Sequence, residues 1–210
     1  MDYRFIKGTS PRLLVFFHGS GGNKESMLFL RQQLDLEASV LSLDGSWGQG
    51  RKRRFFAPLI DGQLDLVDFE MRLSAFLDFW QDLDFQFYQQ VTFVGFSNGA
   101  NFIMGLLTKQ SNLADNYILL HPSAIDYAFP MENSRAEVLF TLGQNDQLVD
   151  QVALEHLVDD WRVSAFPKAN LVRFDKGHFL SQDELTYIKN WYQERINHDH
   201  PSNGWFEQGL

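Results

Sequence analysis

The 210-residue chain predicts an α/β fold, with a mostly parallel central sheet covered by helices on both faces. Three observations carry that expectation. Short β-branched and aromatic runs alternate with segments of helical period along most of the length. The run LLVFF at residues 13–17 is apolar at every position, the pattern of a strand buried on both faces. The run VTFVGFSNG at residues 91–99 ends abruptly in Gly95, Phe96, Ser97, Asn98, Gly99, and a helical pattern follows at once.

In chain order, an edge strand is expected at residues 3–6 and a turn at residues 8–11. Residues 13–17 then run into His18, Gly19, Ser20, Gly21, Gly22 and Asn23. This glycine-rich loop leads to a helix with Met27, Leu30 and Leu34 on one face. It contains neither GxxxxGK[ST] nor GxGxxG, so a phosphate cradle is excluded, while a tight turn and an oxyanion loop both remain open. A second strand is expected at residues 38–43.

The loop at residues 44–62 is long, and loops of this length are usually functional or mobile. It holds the basic run Arg51, Lys52, Arg53, Arg54, followed by Phe55 and Phe56. Charge runs are usually solvated, so a surface role outweighs the holding of an acidic substrate group by about two to one. Phe55 and Phe56 are expected to wall a pocket.

Val67, Met71, Leu73, Phe76, Phe79, Trp80 and Leu83 recur at helical spacing and predict one amphipathic helix over residues 64–83, packed on the core. The strand at 91–99 and its helix, ANFIMGLLTK, come next. A strand at 117–120 ends at His121 and Pro122. Another at 138–142 stops at Gly143 and releases Asp146 into a loop, and a helix resumes from Asp150 to Trp161. The last strand, 171–174, is followed by Gly177 and His178 and then by a helix over about residues 181–196. Ligands of such sheets bind outside the carboxyl ends of the strands. Ser97, Asp146 and His178 all fall there.

Composition narrows the function classes. An apolar fraction of 44%, with 20 Phe and 5 Trp, argues for a globular body and against disorder. Residues 1–210 are expected to form a single domain with 197–210 as a tail. With no Cys there is no disulfide framework or cysteine nucleophile, as expected in a reducing compartment. The charges at Asp2, Arg4 and Lys7 interrupt any secretory signal, and no run reaches transmembrane length, so a cytoplasmic protein without integral membrane association is expected. A formal net charge of −9 makes nucleic acid an unsuitable partner. Trp205 and Phe206 in the tail offer a contact to the body or to a second subunit, so a homodimer stays open.

The turn around Ser97 reads as a nucleophile elbow. A serine there has strained backbone angles, and glycines two residues either side let neighbouring chains pass closely. The following helix aims its amides and positive dipole end at the same point, which suits an oxyanion. A serine hydroxyl is a poor nucleophile unless an imidazole takes its proton and a carboxylate holds that imidazole. Ser97, Asp146 and His178 supply these groups in the order found in α/β-hydrolases.

Each partner has rivals. Asp150 would simply cap the next helix and Asp126 follows the preceding strand. His156 lies inside a helix, and His198 and His200 lie in a polar terminus that is more often solvated than metal-binding. His121 also follows a strand, but it precedes Asp146 in the chain and is expected to form part of the pocket wall.

Together, HGSGG at residues 18–22, Arg54, Phe55 and Phe56, GFSNGAN at 95–101, Asp146 after Gly143, and Gly177 with His178 resemble the carboxylesterase and phospholipase-like group of α/β-hydrolases, which includes acyl-protein thioesterases. The resemblance covers residues 13–193. It implies an α/β-hydrolase fold in its minimal form, without a separate lid domain, and an oxyanion hole made by the backbone amides of Ser20 and Asn98, with His18 structural. It implies no cofactor and no metal. Asn98 departs from the acyl-protein thioesterases, which usually carry Gln after the serine, and SNGAN is more similar to small bacterial esterase-type members.

The expected activity is hydrolysis of a small-molecule carboxylic ester of small or medium acyl group through an acyl-enzyme. Acyl thioesterase and lysophospholipase are alternatives on the same site. A non-catalytic ligand-binding module on the same fold is the alternative from another class. A histidine base must be neutral, so activity is expected to fall as the pH drops toward roughly 6.

Overall fold

The computed structural model of the protein describes residues 1–85, 87–125 and 133–198. Its strands are β1 (Tyr3–Ile6), β2 (Arg12–Phe17), β3 (Ser39–Leu43), β4 (Gln90–Phe96), β5 (Asn116–Leu120), β6 (Glu137–Gly143) and β7 (Ala169–Phe174). They form one sheet in the order β1-β3-β2-β4-β5-β6-β7. Every pairing is parallel except that of the edge strand β1 with β3. The order reverses on either side of β2 and β4, which puts a crevice beyond their carboxyl ends.

Alternation along each strand feeds two cores. Leu13, Val15 and Phe17 of β2 face helices α2 (Leu66–Gln81), α3 (Asn98–Lys109) and α4 (Gln151–Ser164). Leu14 and Phe16 face α1 (Phe29–Leu34) and α5 (Gln182–His198). Phe17 lies among Phe55, Phe76, Phe93 and Phe102 at ring-centroid distances of 5.4, 5.5, 5.3 and 6.3 Å. Each such ring contributes about 1.5–3 kcal/mol by burial. This phenylalanine cluster underlies the β2 and β4 carboxyl ends and gives them a rigid floor.

The helix expected over 64–83 is shorter at both ends. Asp65 caps it, its side chain accepting from the amide of Asp68, and a carboxylate in that role ends the need for earlier helical residues. Likewise α1 leaves out Met27, which is buried from the turn before it. The loop at 44–62 is tied down internally: Trp47 and Arg54 exchange both backbone hydrogen bonds at 2.9 Å, and residues Gly50–Lys52 form one 3-10 turn. Among the described residues, no helix is long and apolar enough to cross a membrane.

Candidate active site

Ser97 sits between β4 and α3 with φ 51° and ψ −111°. The left-handed region is costly for a residue with a Cβ. Two glycines remove the obstacles to holding it. A Cβ on Gly99 would lie 2.1 Å from the carbonyl oxygen of Phe17, and one on Gly95 would lie 2.7 Å from the amide nitrogen of Ala100. The turn is pinned by the Ser97 amide, which donates to Leu120 O at 2.8 Å, and by Ser97 O, which accepts from the Asn101 amide at 2.9 Å.

Three sequence-predicted residues converge here. Ser97 Oγ lies 2.8 Å from His178 Nε2, and His178 Nδ1 lies 2.7 Å from Asp146 Oδ2. Asp146 is 3% exposed, and its other oxygen accepts from the Leu148 amide at 3.0 Å. The rival Asp150 caps α4, accepting from the amides of Val152 and Ala153. Asp126, His200, Trp205 and Phe206, with the side chain of His198, lie outside the described residues.

Asn98 and Ser20 flank the same point. The Asn98 side chain does something the sequence did not suggest: its Oδ1 accepts from the Phe55 amide at 2.7 Å, tying the elbow to the 44–62 loop. His18 is 1% exposed. Its Nδ1 donates to Gly19 O at 2.7 Å and its Nε2 accepts from the Gly45 amide at 2.9 Å, a pattern only the neutral ring provides. Burial lowers its pKa below the ordinary imidazole value. The Gly21 amide donates to Arg53 O at 2.8 Å, so the Ser20 loop and the Arg54 loop are braced against each other.

Two expected pocket residues are placed differently. Phe56 does line a cavity of about 410 Å³ with Ser20, Arg54, Ser97, Asn98 and His178. Phe55 is buried instead, its ring stacked on Phe102 at 5.1 Å and packed on His18 at 4.9 Å, because the Asn98 hydrogen bond draws its backbone inward. His121 is no wall residue either. It is 1% exposed, has φ 50°, and lies behind the site with Nδ1 3.0 Å from Asp146 Oδ2 and Nε2 3.2 Å from Glu184 Oε2.

Glu184 is the participant sequence reading missed. It is 0% exposed, yet an acid in the first turn of a helix ordinarily reads as a partner of the helix dipole, and no local signal marks this one as buried. Burial lowers the pKa of His121, but Glu184 and then Asp146 more than reverse this, so it stands above the ordinary value. For Asp146, burial pushes the carboxyl up, and hydrogen bonds from His121, His178 and the Leu148 amide overcome that and leave it below the usual range. One donor atom each from His121, Asp146 and His178 lies within 4.8 Å of the others. As a metal set this is poorly disposed, since both Nδ1 atoms already bond to one carboxylate oxygen.

The chain is similar over 200 residues to MhqD of Bacillus subtilis (strain 168), which is named as a hydrolase. The two are 32% identical, with 93% of this chain and all of MhqD covered. A crystal structure of a Bacillus cereus carboxylesterase superposes with a TM-score of 0.82 at 28% identity, over 92% of this chain and 94% of that one. A carboxylesterase from Mesorhizobium loti shares the fold, with a TM-score of 0.82 at 19% identity and coverage of 91% and 93%. No protein-family model matches the chain. The chain belongs to the carboxylesterase and phospholipase-like group of α/β-hydrolases, a group of hydrolytic enzymes, and within it to the family of MhqD.

Proposed function

We propose that the protein is a serine hydrolase of carboxylic esters, with Ser97 as nucleophile, His178 as general base and acid, and Asp146 as the carboxylate that orients His178. The observation that carries this reading is the unbroken chain of short contacts, 2.8 Å from Ser97 Oγ to His178 and 2.7 Å from His178 to Asp146, at the wall of a cavity. The Bacillus cereus relative named as a carboxylesterase supports an ester as substrate.

The chemistry follows from the positions. His178 Nε2 takes the Ser97 proton as Oγ bonds to the ester carbonyl carbon. The carbonyl oxygen gains negative charge and is held by the amides of Ser20 and Asn98, one such donor being worth about 3–4 kcal/mol in the transition state. The carbon–oxygen bond to the alcohol breaks as His178 passes the proton to the leaving oxygen. Water, deprotonated by the same histidine, then releases the acid and restores Ser97.

Turnover of short-acyl 4-nitrophenyl esters and labelling by a fluorophosphonate test the reading together. Ser97→Ala is expected to abolish both while its circular dichroism stays that of the parent. Undiminished turnover in that variant, or a labelled residue other than Ser97, would overturn the assignment.

A further inference from the structure

The basic run at residues 51–54 divides into three kinds of residue. Arg51 and Lys52 are exposed to solvent. Arg53 is paired with Asp44 at 2.9 Å. Arg54 is different: among the described residues its guanidinium has neither an ion-pair partner nor a side-chain hydrogen bond, and its Nε is fully buried and unsatisfied. Burial holds its pKa below the ordinary guanidinium value, and no carboxylate among the described residues offsets it. A partly buried cation with a buried unsatisfied donor, and without an ion-pair partner among the described residues, is costly and calls for a reason.

Its position supplies one. The Arg54 backbone is fixed from both sides, by the paired hydrogen bonds to Trp47 and by the Phe55 amide on Asn98, the neighbour of Ser97. Arg54 lines the cavity that holds Ser97 and His178. Among the described residues, that lining contains no Asp or Glu, and Arg54 is its permanent cation. In a protein of net charge −9, a cavity with this polarity is a local reversal.

A second recess, about 380 Å³, adjoins the same site. Met27, Phe29 and Phe179 give it an apolar surface, and it reaches His178 and Ser20 without touching Ser97. Phe29 and Phe179 are 45% and 56% exposed, a large apolar area to leave open beside a reaction centre. The two recesses differ in chemistry; His178 lines both, and Ser97 lines only the first. The acyl carbon stays bonded to Ser97, so the recess beside Ser97 and Asn98 receives the acyl part. With the acyl part there, the alcohol is left the apolar recess, which His178, the donor of the leaving oxygen's proton, also lines.

We infer that Arg54 binds an anionic group, carboxylate or phosphate, carried on the acyl part of the substrate, while an apolar alcohol occupies the recess of Met27, Phe29 and Phe179. The preferred substrate class is thus the half-ester of a two-headed acid. A planar guanidinium suits both anions, through paired N–H donors. This inference rests on the serine-hydrolase reading of the site.

The test compares 4-nitrophenyl esters of equal acyl length: the pentanoate, the hemiglutarate, which ends in a carboxylate, and the 4-phosphonobutanoate. In the parent enzyme, kcat/KM is expected to be on the order of 10- to 100-fold higher for an anionic ester than for the pentanoate, the range of a charged hydrogen bond. Whichever anionic ester leads identifies the anion. Arg54→Met should bring the anionic-to-neutral ratio to one or below, with Arg54→Lys between. The parent ratio should also shrink from 20 mM to 500 mM salt, a measurement that needs no variant. A parent ratio of one, or a ratio that Arg54→Met leaves unchanged, overturns the inference while pentanoate turnover keeps the hydrolase reading intact. Should none of the esters turn over and Ser97 resist fluorophosphonate, the hydrolase reading itself has failed. With 4-carboxyphenyl pentanoate, an Arg54-dependent gain would overturn the assignment of sides.

Discussion

The rings of His121 and His178 stand edge to face, 5.4 Å apart, and both direct Nδ1 at one oxygen, Oδ2 of Asp146. Only one of these histidines reaches Ser97. The other is held by Glu184, so the carboxylate that orients the proposed base is itself clamped by a buried histidine and its acidic partner.

Glu184→Gln tests that clamp as a positioning device. Losing a charged hydrogen bond costs about 1.5–3 kcal/mol, so kcat/KM is expected to drop roughly tenfold or more. Glu184 reaches the proposed base only through His121 and Asp146, so the loss should fall on kcat with KM little changed. A loss carried by KM alone would contradict a positioning role.

His121 also gives stability a pH signature. Its folded pKa lies above the ordinary value, so its contribution is fully present below about pH 6.5 and is lost as pH rises through the folded value. Asp146 has the opposite sign. Its folded pKa is lowered, so its contribution is present above about pH 3.9 and is lost as pH falls through the folded value. Urea denaturation of the parent and His121→Asn across pH 5 to 9 should show the largest gap at the acid end. A gap that widens with rising pH would contradict the assignment.

Acid should loosen the Ser20 loop through His18. Its folded pKa is lowered, so its contribution is complete above about pH 6.5 and diminishes as pH falls from there toward the folded value. The exchange protection factor of Gly45, whose amide donates to the neutral ring, should fall over that window more than those of β4.

Gly99→Ala is expected to destabilise by about 3 kcal/mol, the upper part of the overpacking range. The added carbon meets Phe17 backbone at 2.1 Å, and backbone cannot rotate away. Melting temperature and turnover should fall together.

Asn98→Ala leaves the Phe55 amide buried without an acceptor, at a cost of about 1–3 kcal/mol. The backbone amide at position 98 survives, so the expected signature is lost stability with partial turnover retained.

The alternation of strands and helices, the sheet type and the positions of Ser97, Asp146 and His178 were legible because each leaves a local mark: a two-sided apolar run, a glycine-flanked turn, a carboxylate just past a strand. Phe55 and Phe56 were not separable, since adjacent residues of one type differ only in which neighbour claims the backbone, here Asn98. His121 and Glu184 are 63 residues apart, and nothing nearby in the chain announces that a helix-start acid and a strand-end histidine meet in the interior. The basic run read as surface, correctly for Arg51 and Lys52; what set Arg54 apart was the lack of a carboxylate opposite it among the described residues, a property of tertiary structure.

Helix α5 brings Glu184 to His121, and it is moored to the opposite end of the chain, Tyr192 donating to Asp35 at 3.3 Å and Gln193 to Leu34 O at 2.7 Å. The proposed nucleophile, Ser97, is made near the middle of the chain, whereas its proposed partners Asp146 and His178 come from the last third. On that proposal a chain truncated before α5 would carry the elbow without the helix that holds Glu184 against His121.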